Sequence, residues 1–282
     1  MIKNNFTYNS IKANKINIDF FFNSESECRC LIILVHGFKG FKDWGFFPFT
    51  AEYLVKNGFN VVSFNFSHNG VGKSLTEFDE LEKFEKNTIS LELEELNEII
   101  NISKDGYFNN FKPDYIGLLG HSRGASVSIL AASINNFVNS LCCWAPVSKF
   151  DRYTERQKSI WKEVGYFEVL NTRTNQLMRM SVDLLNDIEL NKDEKLSIEK
   201  AVKKLNIPFL IIHGDQDLTV PVRESELIYQ WSNKNQTKFE IIESTGHTFD
   251  IVHPFSGSNK KFDRVLNLTV DFFINSLNCN KK

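Results

Sequence analysis

The chain has 282 residues, 42% of them hydrophobic and 24% charged, with a formal net charge of -2 and a pI near 6.3. This is globular composition, long enough for one large domain or two small ones, and it offers no basic surplus for nucleic acid or an anionic membrane. The five cysteines are odd in number, and Cys28/Cys30 and Cys142/Cys143 sit too close in sequence to close useful loops. They argue against a disulfide framework and for a reducing compartment.

Taken in chain order, the start alternates: Ile16, Ile18 and Phe20 point one way, with Asn17 and Asp19 between them. That is strand periodicity, and Asn23–Glu27 reads as a turn. The run Cys30–Gly37 is continuously apolar and ends on glycine, as expected for a strand buried on both faces of a parallel sheet. Similar runs begin at Asn60, Tyr115, Ser140, Pro208 and Lys238.

Helical segments fall between these runs. One contains Phe49, Tyr53 and Leu54 and stops at Asn57-Gly58. Another carries an apolar stripe of Ile89, Leu93, Leu96 and Ile100, with Glu92, Glu94 and Glu95 expected on the surface. Further helices are expected over Ala125–Ile134, Val222–Trp231 and Phe262–Leu277. The alternation implies an α/β, doubly wound, mostly parallel sheet with an N-terminal antiparallel hairpin. Residues 148–206 break the rhythm and are too long for an ordinary connection. They read as a helical cap insertion in a core made of residues 1–147 and 207–282. Because ligands of open parallel sheets bind beyond the carboxyl ends of the strands, the cap is expected over that end.

Gly120-His121-Ser122-Arg123-Gly124 follows one apolar strand and precedes a helix. Glycines on both sides allow a tight turn, and a serine on it projects from the sheet edge. The helix behind it aims free N–H groups at the same place. The bland alternative is a helix-capping serine. A serine nucleophile needs a base. His247, after the last strand, is preferred, with His253 as the rival. The base needs an acid, and Asp217 is preferred over Asp215, which sits in the same loop after the strand at Pro208. Phe66–Ser74 contains a Gly-x-Gly-Lys-Ser run, but Ser67 stands where a phosphate loop needs its first glycine. Cys28-x-Cys30 lacks the second pair a zinc site needs.

The order Ser122, Asp217, His247 is that of the α/β-hydrolase superfamily, which the sequence resembles from about Ile16 to Leu277. The resemblance implies that His36-Gly37 leads into an oxyanion hole whose donors are the backbone N–H groups of Phe38 and Arg123. The run from His36 to Gly40, with Lys42-Asp43-Trp44, also resembles feruloyl or cinnamoyl esterases and prolyl-oligopeptidase-like catalytic domains. The implied activity is hydrolysis of small or aromatic carboxylic esters through an acyl-enzyme. A peptidase or thioesterase of the same fold, and a non-catalytic binding member, remain alternatives. His36, Trp144, Trp161, Tyr166 and Phe167 are candidates for the substrate pocket. Arg152, Arg156, Arg173 and Arg179 could meet a carboxylate, or simply be solvated. No metal or cofactor is called for, and the expected partner is a small-molecule ester rather than nucleic acid or membrane. The N-terminal MIKNNFTYNS lacks a signal-peptide core and no run reaches membrane-spanning length, so a cytoplasmic protein is expected.

Overall fold

The computed structural model describes residues 1–74, 76–172 and 174–277; Arg173 and Cys279 lie outside the described residues. The main sheet contains β1 (Ile2–Asn9), which the sequence pattern did not anticipate, and the anticipated β2 (Lys15–Phe22), β3 (Cys30–Val35), β4 (Asn60–Phe64), β5 (Tyr115–His121), β6 (Val138–Trp144), β9 (Phe209–Gly214) and β10 (Thr237–Ile242). They form one eight-stranded sheet in the order β1-β2-β4-β3-β5-β6-β9-β10. β1 and β2 form the antiparallel hairpin, β2 pairs antiparallel with β4, and every later pairing is parallel. Residues 23–27 are therefore not a hairpin turn. They carry the chain from β2 past β4 to β3, whose six residues are all buried.

The core helices are α1 (Phe46–Lys56), the short α2 (Leu81–Glu85), α3 (Ile89–Asp105), α4 (Arg123–Ile134), α7 (Ile198–Lys204), α8 (Arg223–Trp231) and α9 (Lys260–Ser276). α3 begins at Thr88, whose hydroxyl accepts the Leu91 N–H, and ends at Gly106 in the left-handed region (φ 88°). Both features stop the chain where the Ile89–Ile100 stripe stops being useful. α7 falls within the 148–206 segment expected to be the cap, but it packs on α4 and α8, in the helical layer of the core.

The stretch between β6 and α7 departs from a purely helical expectation. It contains α5 (Glu155–Val164), a hairpin of β7 (Tyr166–Asn171) and β8 (Gln176–Ser181), and α6 (Val182–Asn191). Met178 and Met180 are buried while Arg179 between them is exposed, so a period of two was present. The surrounding charged residues mask it. The insertion is tied down by Asp187, which accepts hydrogen bonds from the Ser90 N–H and hydroxyl on α3. Lys39 adds a bond from its ammonium to the Leu170 carbonyl.

One expectation about charge is corrected. Glu92 and Glu95 are not on the surface: they are 5% and 1% exposed, because Arg123 and the loop after β4 cover that face of α3. Cys28, Cys142 and Cys143 are free thiols. Lys42 is also buried, its ammonium held 2.6 Å from Asp19 and 2.5 Å from Asp43. These contacts pin the loop after β3 to β2, and Lys3 also reaches Asp19 at 2.8 Å, so neither Asp19 nor Lys42 depends on a single counter-charge. Among the described residues, no helix is long and apolar enough to cross a membrane.

Candidate active site

The carboxyl ends of β3, β5, β6, β9 and β10 converge on a cavity of about 520 Å³, whose lining includes Phe38, Ser122, Arg123 and His247. Ser122 lies between β5 and α4 with φ 57° and ψ -126°, a region that L residues rarely occupy, and its side chain makes no helix-capping hydrogen bond. The capping-serine alternative is therefore not what the structure shows. Such strain persists only where the surroundings over-determine it. Here they do. The Ser122 N–H is held by the Trp144 carbonyl at 2.8 Å, and its own carbonyl accepts the Ala125 N–H at 3.1 Å.

The flanking glycines are required by contact. A Cβ on Gly124 would lie 2.2 Å from the His36 carbonyl oxygen, and one on Gly120 would lie 2.5 Å from the Ala125 Cα. A Cβ on Gly37 would lie 3.0 Å from the Ser122 Cβ and 3.3 Å from the Arg123 nitrogen. The loop after β3 is thus pressed onto the turn at Ser122. This brings Phe38 and Arg123 to the same cavity, and among the described residues neither backbone N–H has a hydrogen-bond acceptor.

Beneath this loop His36 is 3% exposed and does not line the cavity. Its Nδ1–H donates to the Gly37 carbonyl at 3.0 Å and its Nε2 accepts the Phe66 N–H at 3.2 Å. Burial pulls its pKa down to about 4. The ring is neutral at pH 7 and serves as a brace for the turn, not as a pocket wall.

Asp217 and His247 meet directly. His247 Nδ1 lies 2.6 Å from Asp217 Oδ2. The other carboxylate oxygen accepts the Thr219 and Val220 N–H groups, each at 2.8 Å. Burial pushes the Asp217 pKa up, but hydrogen bonds from His213 and His247, the His247 charge and the Val220 N–H outweigh it and hold the carboxyl well below its usual range. The loops are kept in register by Gly214, where a Cβ would lie 2.4 Å from the Thr245 carbonyl oxygen. Asp215, by contrast, is exposed and reaches only the Thr245 N–H at 3.4 Å. His253 is committed elsewhere: its Nδ1 accepts the Gly45 N–H at 3.0 Å and its ring stacks on Trp44.

Two histidines do more here than the sequence indicated. His213 is fully buried, with Nδ1 2.6 Å from the Ser225 hydroxyl and Nε2 directed at the Val220 carbonyl (2.8 Å) and Asp217 Oδ2 (3.2 Å). His121 sits beside the His247 ring, with centroids 4.7 Å apart, and its Nε2–H donates to the His247 carbonyl at 2.9 Å. Burial, helped by the His247 charge, lowers its pKa to about 3, so this donor stays in the neutral tautomer. The signal for both was a histidine at a strand terminus facing a loop. What each ring touches is set by tertiary packing.

The pocket walls differ from those expected. Trp144 is core, its indole N–H donating to the Thr269 hydroxyl at 3.1 Å. Trp161 is fully buried against Tyr153 and Phe167 inside the insertion, and Tyr166 lies under Arg179. None of these four lines the cavity. Its apolar walls are instead Trp44, Phe47, Phe150 and Tyr153, with Val169, Met180 and Ile188 from the insertion. Of the four arginines singled out, Arg152 reaches the cavity and Arg179 pairs with Glu168 at 3.0 Å.

The glycine-containing loop after β4 is occupied by the chain itself. Asp79 accepts the Gly72 N–H at 2.6 Å and the Ser74 N–H at 3.1 Å, filling the place a phosphate would take. Nearby, Glu95 accepts the Ser67 N–H at 2.9 Å and also bonds the Ser67 hydroxyl. Burial raises its pKa to about 7 from 4.5, against those two bonds and with help from Glu92 and Glu98. The folded protein therefore holds this proton more tightly than the unfolded chain, and stability falls as pH rises from about 4.5 through about 7. Glu95→Gln should remove this component: chemical denaturation should find it equal to the parent near pH 4.5 and more stable by on the order of 2–3 kcal/mol at pH 8.

Comparison with known proteins agrees with this architecture. The chain has the α/β-hydrolase fold. Its residues 97–232 match the BD-FAE family model. Over 82 residues it is 37% identical to the putative esterase/lipase 1 of Mycoplasma genitalium, a match spanning 29% of this chain and 28% of that protein. Among solved structures it is similar to the α/β hydrolase GrgF from Penicillium sp. sh18 (TM-score 0.76, 14% identity, covering 99% of this chain and 100% of that one). It is also similar to Est1E from Butyrivibrio proteoclasticus with ferulic acid bound (TM-score 0.73, 19% identity, covering 96% and 99%). At these identities the structural likeness is one of fold.

Proposed function

We propose that the protein is a serine hydrolase that cleaves carboxylic esters through an acyl-enzyme, in which Ser122 is the nucleophile, His247 the general base and Asp217 the acid that orients it. The observation that carries this reading is the strained Ser122 facing a cavity shared with His247, whose Nδ1 is held by Asp217 at 2.6 Å. With Nδ1–H given to Asp217, Nε2 is the nitrogen that takes the Ser122 proton as Oγ bonds to the ester carbonyl carbon. The carbonyl oxygen becomes an oxyanion, and the Phe38 and Arg123 N–H groups receive it. In sites of this kind each such donor is worth about 3–4 kcal/mol of barrier. The C–O bond to the alcohol then breaks, and the alcohol leaves with the proton from His247. Water, deprotonated by the same ring, releases the acid and restores Ser122.

The apolar walls suit a small aliphatic or aromatic acyl group. The likeness to Est1E with ferulic acid, and to a protein named as an esterase/lipase, supports an ester over other acyl compounds. The test is a matched panel of short and aromatic esters, thioesters and anilides of the same acids. The expected result is kcat/KM highest on esters. A higher kcat/KM on thioesters or anilides would replace the ester assignment, and no turnover of any acyl compound would reject the enzyme reading.

A further inference from the structure

The cavity that receives the acyl compound carries a charge asymmetry that the reaction itself does not require. Lys39, Lys149, Arg123 and Arg152 all line it, and among the described residues no aspartate or glutamate does. The chain as a whole is net acidic, at -2, so this concentration of cations is local.

The four cations are not equivalent. Arg123 is neutralised by Glu92 at 3.4 Å, and its guanidinium is stacked over the Phe38 ring at 4.2 Å. Lys39 is held by the Leu170 carbonyl at 3.2 Å. Lys149 and Arg152 belong to the segment that leaves β6 and enters the insertion, and both are solvent-exposed. Arg152 donates to the Thr219 carbonyl at 3.1 Å, which fixes its guanidinium beside the loop carrying Asp217. Among the described residues neither Lys149 nor Arg152 has a carboxylate within ion-pair distance. Positive charge at the mouth of an apolar, partly enclosed cavity raises the local concentration of anions and holds an anionic end while the apolar part is buried.

We infer that the preferred substrate is an ester bearing an anionic carboxylate at one end of an apolar body, with Lys149 and Arg152 recognising the charge. The inference rests on the ester-hydrolase reading for the word substrate, but the recognition it assigns can be measured without turnover. It also separates the arginines: Arg152 recognises the anion, whereas the exposed Arg179 is spent on Glu168.

The test compares near-isosteric pairs that differ by one charge. Monomethyl adipate is set against the corresponding amide, methyl 5-carbamoylpentanoate, to place the charge on the acyl side. The 3-carboxyphenyl and 3-carbamoylphenyl esters of butyric acid place it on the alcohol side. At low salt the kcat/KM ratio of anion to amide should be roughly 5–10 for at least one pair, falling towards 1 at about 0.5 M salt. In Lys149→Gln/Arg152→Gln that ratio should collapse to about 1 even at low salt. In parallel, calorimetric binding of 4-phenylbutyrate against 4-phenylbutyramide to the full chain should show the same preference and the same loss in the double variant. Turnover without charge preference in either pair, or a ratio that survives the double substitution, overturns the inference and leaves the hydrolase reading intact. Binding preference that depends on Lys149 and Arg152, with no ester cleaved, upholds it and overturns the hydrolase reading. If neither cleavage nor anion-selective binding occurs, both fall.

Discussion

Replacing Ser122 by alanine is expected to lower kcat on a good ester substrate by roughly four to six orders of magnitude, with the melting temperature changed by no more than about 2 °C. The size follows from the proposed mechanism: without Oγ no acyl-enzyme can form, and only binding and the oxyanion donors remain to assist attack by water. The small effect on stability follows from the geometry. Alanine keeps the Cβ and the same backbone at φ 57°, and the serine side chain makes no capping bond to lose. Ser122→Gly is a useful companion. Glycine occupies this region without a Cβ penalty, so the variant should be more stable than the parent by about 1 kcal/mol while equally inactive. Parallel thermal unfolding and steady-state kinetics check both, and near-normal turnover in the alanine variant would remove Ser122 from the reaction.

Gly124→Ala is expected to be the most damaging single-methyl change. Its Cβ would lie 2.2 Å from the His36 carbonyl oxygen and 2.5 Å from that of Val35, both backbone atoms that no side-chain rotation can clear. Either α4 or the end of β3 must move. The expected cost is roughly 2–4 kcal/mol, read as a fall in melting temperature of about 5–10 °C. Activity should fall further than stability accounts for, by about 100-fold or more, because α4 begins at Arg123 and the β3 loop presents Phe38. The control is Gly58→Ala. Gly58 has φ 95° and open space within 4 Å of the added methyl, so it should cost only about 1 kcal/mol of backbone strain and leave kcat alone. Equal kinetic effects of the two changes would mean that the close packing at Gly124 has no part in shaping the site.

The parts of the molecule that were legible in the sequence share a physical reason. The buried parallel strands read as unbroken apolar runs, because both faces are covered, and β3 with six buried residues is the clearest case. Ser122 was legible because two glycines mark a backbone constraint and not merely a composition. Asp217 and His247 could be singled out because both follow strands whose carboxyl ends share one edge of the sheet. The β7–β8 hairpin was not legible: it is short, half-exposed, and pairs only with itself. Glu92 and Glu95 looked like solvent-facing charge on an amphipathic helix. Their burial depends on Arg123 and Ser67, which come from other parts of the chain. The pocket walls were misread for the same reason. Trp144 and Trp161 announced themselves by size, and large rings are as readily core as lining.

Covalent labelling is the most direct measurement of the central claim, that Ser122 is a serine activated by His247 and Asp217. The full chain would be treated with a fluorophosphonate, weighed intact and mapped by peptide mass spectrometry. The expected result is one adduct per chain, on Ser122, absent from Ser122→Ala and formed at least 100-fold more slowly in His247→Asn. An unlabelled parent chain, or an adduct that persists unchanged when Ser122 is alanine, would contradict it.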